Sequence, residues 1–121
     1  MTRPIKVCAV DFDGVIVEDR YPDIGTLMPN ALEGLEKLSE QYEIIIWTCR
    51  VGERLREVIW ILKELGVKYY AINTNHTFKV DKYGSDTRKL SADLYIDDKN
   101  FGGFPGWKAV MDWLEKQEGG I

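Results

Sequence analysis

Residues 5–15 read Ile5-Lys6-Val7-Cys8-Ala9-Val10-Asp11-Phe12-Asp13-Gly14-Val15, an apolar run broken only by Lys6 that stops on an acidic turn. A strand with no polar face needs cover on both sides, which is the habit of parallel sheets. The rest of the chain supplies the cover. Residues 29–40 read as a helix, with Pro29 suited to a first turn and Ala31, Leu32, Leu35 and Leu38 forming an apolar stripe. Glu43 to Thr48 reads as a second strand through Ile44-Ile45-Ile46-Trp47. Residues 52–65 read as a helix carrying Leu55, Val58, Ile59, Leu62 and Leu65, with Gly66 placed to end it. Val67 to Ile72 is a third strand, Leu94 to Ile96 the core of a fourth, and a last helix runs from Gly106 to Lys116. Strands alternating with helices predict a small α/β, doubly wound, Rossmann-like parallel sheet.

The chain has 121 residues, enough for one compact domain over residues 1–121 and too few for two ordinary ones. Sixteen Lys and Arg against twenty Asp and Glu leave a net charge of −4, which disfavours a nucleic-acid backbone as the main partner. Cys8 and Cys49 sit in apolar runs without disulfide or metal-ligand spacing and read as reduced core thiols. With no signal peptide and only strand-sized apolar runs, the expectation is a cytoplasmic protein without membrane contact.

In parallel sheets ligands bind beyond the carboxyl ends of the strands. Here those ends carry one kind of chemistry. Strand one ends in Asp11-Phe12-Asp13-Gly14, strand two in Thr48-Cys49-Arg50, strand three in Asn73-Thr74-Asn75, and strand four in Asp97-Asp98-Lys99-Asn100; Arg88 and Lys89 shortly precede strand four. Four carboxylates meeting at one edge repel unless a cation sits among them. An all-oxygen set without His or Cys suits Mg²⁺. The Thr48 hydroxyl and the Lys89 ammonium can hold phosphate oxygens, and Asp can serve as a covalent nucleophile in phosphoryl transfer. The constellation predicts Mg²⁺-assisted phosphoryl transfer.

The chain also resembles the haloacid dehalogenase-like (HAD) phosphatases. The resemblance rests on an ordered set: Asp11-Phe12-Asp13-Gly14-Val15, then Thr48, then Lys89 eight positions before Asp97, then Asp97-Asp98 after Leu94-Tyr95-Ile96. Residues 96–103 further resemble a group of small bacterial and phage HAD-like hydrolases. The resemblance implies that Asp11 attacks phosphorus and becomes an aspartyl-phosphate, and that Asp13 is the general acid and base. It implies Thr48 and Lys89 as the remaining catalytic pair, with the adjacent Arg88 as the alternative source of the charge. Gly14, Thr48, Cys49, Arg50 and Lys89 are the implied substrate-binding set. Asp11, Asp13 (through its carbonyl), Asp97 and Asp98 are the implied metal set, with Asp98 ligating through water or orienting the site. Gly14 lets the chain turn away from the strand.

No cap domain fits between these motifs. The resemblance is therefore to capless members, implying a phosphorylated substrate bulky enough to need an open site, or a homo-oligomer in which a neighbour covers it. The polar loop 73–88, with Gly84 as hinge, is the candidate local lid. Arg50 reads either as a substrate contact or as a solvated loop charge. His76 reads as a surface residue, and Glu18 and Asp19 as solvated residues of the flap after the first strand, with substrate contact as the alternative. Phe101, Phe104 and Trp107 read as packing for the last helix, with a wall beside the site as the alternative. A receiver-like phospho-accepting domain shares the small fold, but its phospho-accepting Asp follows the third strand, where this chain has Asn73. A retired phosphate-binding module is the other alternative, and the complete motif set argues against it.

Overall fold

The computed structural model describes residues 5–119. The elements are β1 (Val7–Asp11), α1 (Ala31–Ser39), β2 (Glu43–Trp47), α2 (Gly52–Glu64), β3 (Ala71–Ile72), α3 (Thr77–Tyr83), β4 (Leu94–Ile96) and α4 (Trp107–Gly119). The strands form an all-parallel sheet of order β3-β2-β1-β4. This is the small Rossmann-like α/β fold that the alternation of strands and helices predicts. Among the described residues no helix is long and apolar enough to cross a membrane.

Alternation along the strands sends the two faces of the sheet into unequal cores. Cys8, Val10, Ile44, Ile46 and Ile96 join Leu35 and Leu38 of α1, Val58 and Leu62 of α2, and Val110 and Leu114 of α4 in the large core. Among the described residues the other face buries a smaller apolar group, Val7, Ala9, Ile45 and Leu90, with Ala92 against them. Trp47 lies on this thin side, two residues beyond Ile45, and stays 36% exposed because the cover stops short of it.

Helices α1 and α4 meet at Gly34. A Cβ there would lie 2.4 Å from Trp107 Cε3, and Trp107 is itself fixed by burial and by an indole N–H donated to the Val15 carbonyl at 2.8 Å. Gly34→Ala is expected to destabilise the protein by about 1–3 kcal/mol through overpacking, despite the better helix propensity of alanine. A urea denaturation midpoint no lower than wild type would contradict this.

Several expectations change. The third strand is two residues long instead of six; Val67 and Tyr69 turn into the large core rather than extending the ladder. Residues 73–88 are not an open lid. They contain α3, which the buried His76 caps by accepting from the Phe78 N–H at 3.1 Å while its ring stacks on Tyr70. Gly84 closes that helix at φ 75° rather than serving as a hinge between open segments. Phe101 is fully exposed, whereas Phe104 packs edge-on against Trp107. Of the two expected core thiols Cys8 is buried, but Cys49 is exposed, because β2 ends at Trp47 and leaves it beyond the core.

Candidate functional site

The strand order reverses at β1, so the crevice expected of such sheets opens beyond β1 and β4. A cavity of about 610 Å³ lies there, lined by Asp11, Asp13, Asp97, Asp98, Thr48, Cys49, Arg50 and Asn73, with Asp19, Tyr21, Trp47 and Lys99 at its sides.

Carboxylate oxygens of Asp11, Asp97 and Asp98 all come within 4.8 Å of one another. Burial, a hydrogen bond with Asp98 and the charges of Asp97 and Asp98 push the Asp11 carboxyl up to about 8, against a weaker lowering by the Phe12 N–H. The Phe12 N–H reaches Asp11 Oδ1 at 2.9 Å, and the Lys99 N–H reaches Asp97 Oδ1 at 2.8 Å. Asp98 sits hard against the turn after β1. A Cβ on Gly14, at φ 87°, would lie 2.2 Å from Asp98 Oδ2, so glycine serves both the turn and the approach of that carboxylate. Three oxygen donors crowded with so little counter-charge fit a hard divalent cation such as Mg²⁺. Asp11, Asp97 and Asp98 would hold it.

The fourth carboxylate does not join them. Asp13 Oδ2 accepts from Arg50 Nε at 2.8 Å and Oδ1 from Arg50 Nη2 at 2.8 Å, a two-pronged pair. The counter-charge of the Asp13 carboxylate is thus a side chain, which leaves its backbone carbonyl, the atom expected to face a metal, outside the pair. Arg50, 1% exposed, is neither a solvated loop charge nor open to solvent. Its remaining N–H groups donate to the carbonyls of Pro22 at 3.0 Å and Asp23 at 2.8 Å, and its guanidinium lies 5.0 Å from the Tyr21 ring centre. The hydrogen bonds with Asp13 hold the guanidinium firmly charged. One side chain therefore ties the end of β2 to the turn after β1 and to the flap of residues 14–28. The base of that flap is core, with Val15, Ile16 and Val17 buried and Met28 N–H bonded to the Ile16 carbonyl.

Thr48 is locked from both sides of its backbone. Asn73 Oδ1 accepts from its N–H at 2.8 Å, and Asn73 Nδ2 donates to its carbonyl at 2.7 Å. Asn73 does this from φ 57°, a left-handed position asparagine tolerates. Thr48 Oγ1 accepts from the Arg50 N–H at 3.1 Å, which leaves its own O–H to donate into the cavity.

The structure thus brings together Asp11, Asp13, Thr48, Cys49, Arg50, Asp97 and Asp98. Gly14 stands behind the acidic group rather than on the cavity wall. Lys89 is not brought there. It is exposed, and its carbonyl accepts from Thr87 Oγ1. Lys99, next to Asp98 at 3.7 Å, is the lysine on the cavity. Sequence reasoning passed over Asn73, Tyr21, Trp47 and Lys99 as site residues. The signal for three of them was present, since Asn73, Trp47 and Lys99 all fall at strand ends.

A solved structure of a conserved protein coded by a locus of Bacteroides thetaiotaomicron is similar to this chain: 40% identical, TM-score 0.82, with 94% of this chain and 93% of that chain covered. No family model and no curated protein matches.

Proposed function

We propose that this chain, which belongs to one family with the Bacteroides thetaiotaomicron protein, is a HAD-like, Mg²⁺-dependent phosphomonoester hydrolase acting through an aspartyl-phosphate on Asp11. The observation that carries this reading is the gathering of Asp11, Asp97 and Asp98 at the strand-order switch, with Thr48 facing the same cavity. Bound Mg²⁺ would neutralise the carboxylates and the phosphoryl oxygens.

The residues divide the work as follows. An Asp11 oxygen attacks phosphorus as the ester P–O bond breaks; Asp13, having taken up a proton from solvent on an oxygen released from one of its two Arg50 contacts, passes that proton to the leaving oxygen. Water then attacks phosphorus, gives its proton to Asp13, and frees inorganic phosphate and Asp11. Arg50 fixes where the Asp13 carboxylate sits through that cycle. Thr48 donates its O–H to a phosphoryl oxygen. Lys99, beside Asp98, is better placed than Lys89 to add positive charge.

Incubation with p-nitrophenyl phosphate and a panel of alkyl phosphomonoesters tests the reading. Phosphate release is expected with Mg²⁺ and not with chelator. An inert protein across the whole panel with Mg²⁺ would remove the phosphatase reading. Phosphorylation of Asp11 without release would favour the receiver-like alternative.

A further inference from the structure

One part of the cavity is unused by the chemistry above. Trp47 and Tyr21 both line it, yet they are 36% and 61% exposed. Exposed aromatics are ordinary when scattered singly, but two in one functional cavity are not. Their anchoring is more informative than their exposure.

Trp47 is paired with Asp11 in the parallel ladder. Residues in register on neighbouring parallel strands project to the same face, with backbones about 4.8 Å apart. The indole therefore stands beside the proposed nucleophile, on the thin side of the sheet where no helix covers it. The ring thus borders the cavity that must also take the group esterified to the phosphoryl Asp11 attacks.

Tyr21 is on the flap, where an exposed ring would normally sample several rotamers. Here it is pinned. Arg50 lies 5.0 Å from its ring centre and holds the two following carbonyls, and the Tyr21 N–H donates to Asp19 Oδ1 at 3.3 Å. A pre-fixed aromatic face loses little entropy when a flat partner stacks on it. The rest of the wall carries five Asp against Arg50 and Lys99, an acidic excess that disfavours a leaving group carrying further carboxylates. A volume near 610 Å³ is within the range of small-ligand pockets.

We propose that the leaving group carries a planar aromatic ring, a nucleoside monophosphate being the simplest case, and that Tyr21 and Trp47 take the ring. This rests on the phosphatase reading and adds the substrate class to it. Stacking of one base on an aromatic side chain changes affinity about tenfold or more.

The test compares adenosine 5′-monophosphate with ribose 5-phosphate, which share the scissile bond and differ only in the base. With Mg²⁺, KM for the nucleotide is expected to be about tenfold lower or better. Tyr21→Ala and Trp47→Ala should each pull that ratio toward one, and Tyr21→Phe should keep it. A wild-type ratio within about twofold, or a ratio that survives both alanine variants, overturns the proposal. Should neither compound release phosphate, quenching of tryptophan fluorescence decides the matter separately. Quenching by the nucleotide alone, lost in Trp47→Phe and weakened in Tyr21→Ala, upholds the ring site independently of the phosphatase reading, which the p-nitrophenyl and alkyl phosphate panel decides. Equal quenching by both compounds, or none by either, overturns the ring site.

Discussion

Arg50→Ala is expected to cost about 3–5 kcal/mol of stability, the size seen when one member of a buried ion pair is removed. The loss has three parts. Asp13, with its side chain only 17% exposed, loses its counter-charge together with both N–H donors. The Pro22 and Asp23 carbonyls lose theirs as well. The space between Phe12 and Tyr21, whose rings lie 5.8 and 5.0 Å from the guanidinium, is left empty. The flap should then open to protease within residues 18–26, while the core around Val15–Val17 stays closed. For a chain of 121 residues the melting temperature should fall by roughly 10–20 °C. Arg50→Lys should recover only a fraction, because an ammonium cannot span two carboxylate oxygens and two carbonyls at once. A double-mutant cycle isolates the pair: Arg50→Met with Asp13→Asn should cost less than the two single changes summed. Additive losses would show that Arg50 acts on the flap alone.

That clamp also marks the boundary of what the sequence made legible. Acidic residues closing apolar strands could be placed at one sheet edge by topology, since the strand ends of a parallel sheet are spatially fixed. Asp11, Asp97 and Asp98 needed nothing more. Asp13 and Arg50 are 37 positions apart, and neither residue type announces a pairing in preference to solvent. Only the three-dimensional closure of the flap onto β2 decides it. His76 fails for a similar reason: a lone histidine in a polar stretch reads as exposed, yet it caps α3, a helix whose sequence, Thr77-Phe78-Lys79-Val80-Asp81-Lys82-Tyr83, has no clear apolar stripe. Lys89 shows the opposite error. Spacing to Asp97 singled it out, but the chain around residues 85–89 is exposed throughout, and the lysine that reaches the cavity is Lys99.

Asp11→Asn is expected to separate activity from stability in opposite directions. Turnover should fall by about three orders of magnitude or more, as for removal of a covalent nucleophile. The metal-free protein should nevertheless become more stable at pH 8. In the unfolded chain Asp11 ionises near pH 4, whereas in the folded protein burial, then the Asp98 hydrogen bond and the Asp97 and Asp98 charges, hold its proton to about pH 8. Between those values the folded state binds more protons than the unfolded one, so stability falls as pH rises. Asp11 is still partly open to water, which reduces the penalty to on the order of 1–2 kcal/mol. In chelator, the wild-type melting temperature should therefore decline from pH 5 to pH 8, and Asn, which cannot ionise, should flatten that decline. Mg²⁺ should restore the wild type at pH 8, by about 2.7 kcal/mol at a hundredfold excess over its dissociation constant. The variant should respond far less, having lost one of three carboxylates. Equal stabilisation of both proteins by Mg²⁺ would place the cation away from Asp11. A wild type whose melting temperature in chelator rises toward pH 8 would show that the acidic group is already relieved without metal, and the three carboxylates would then have no need of one.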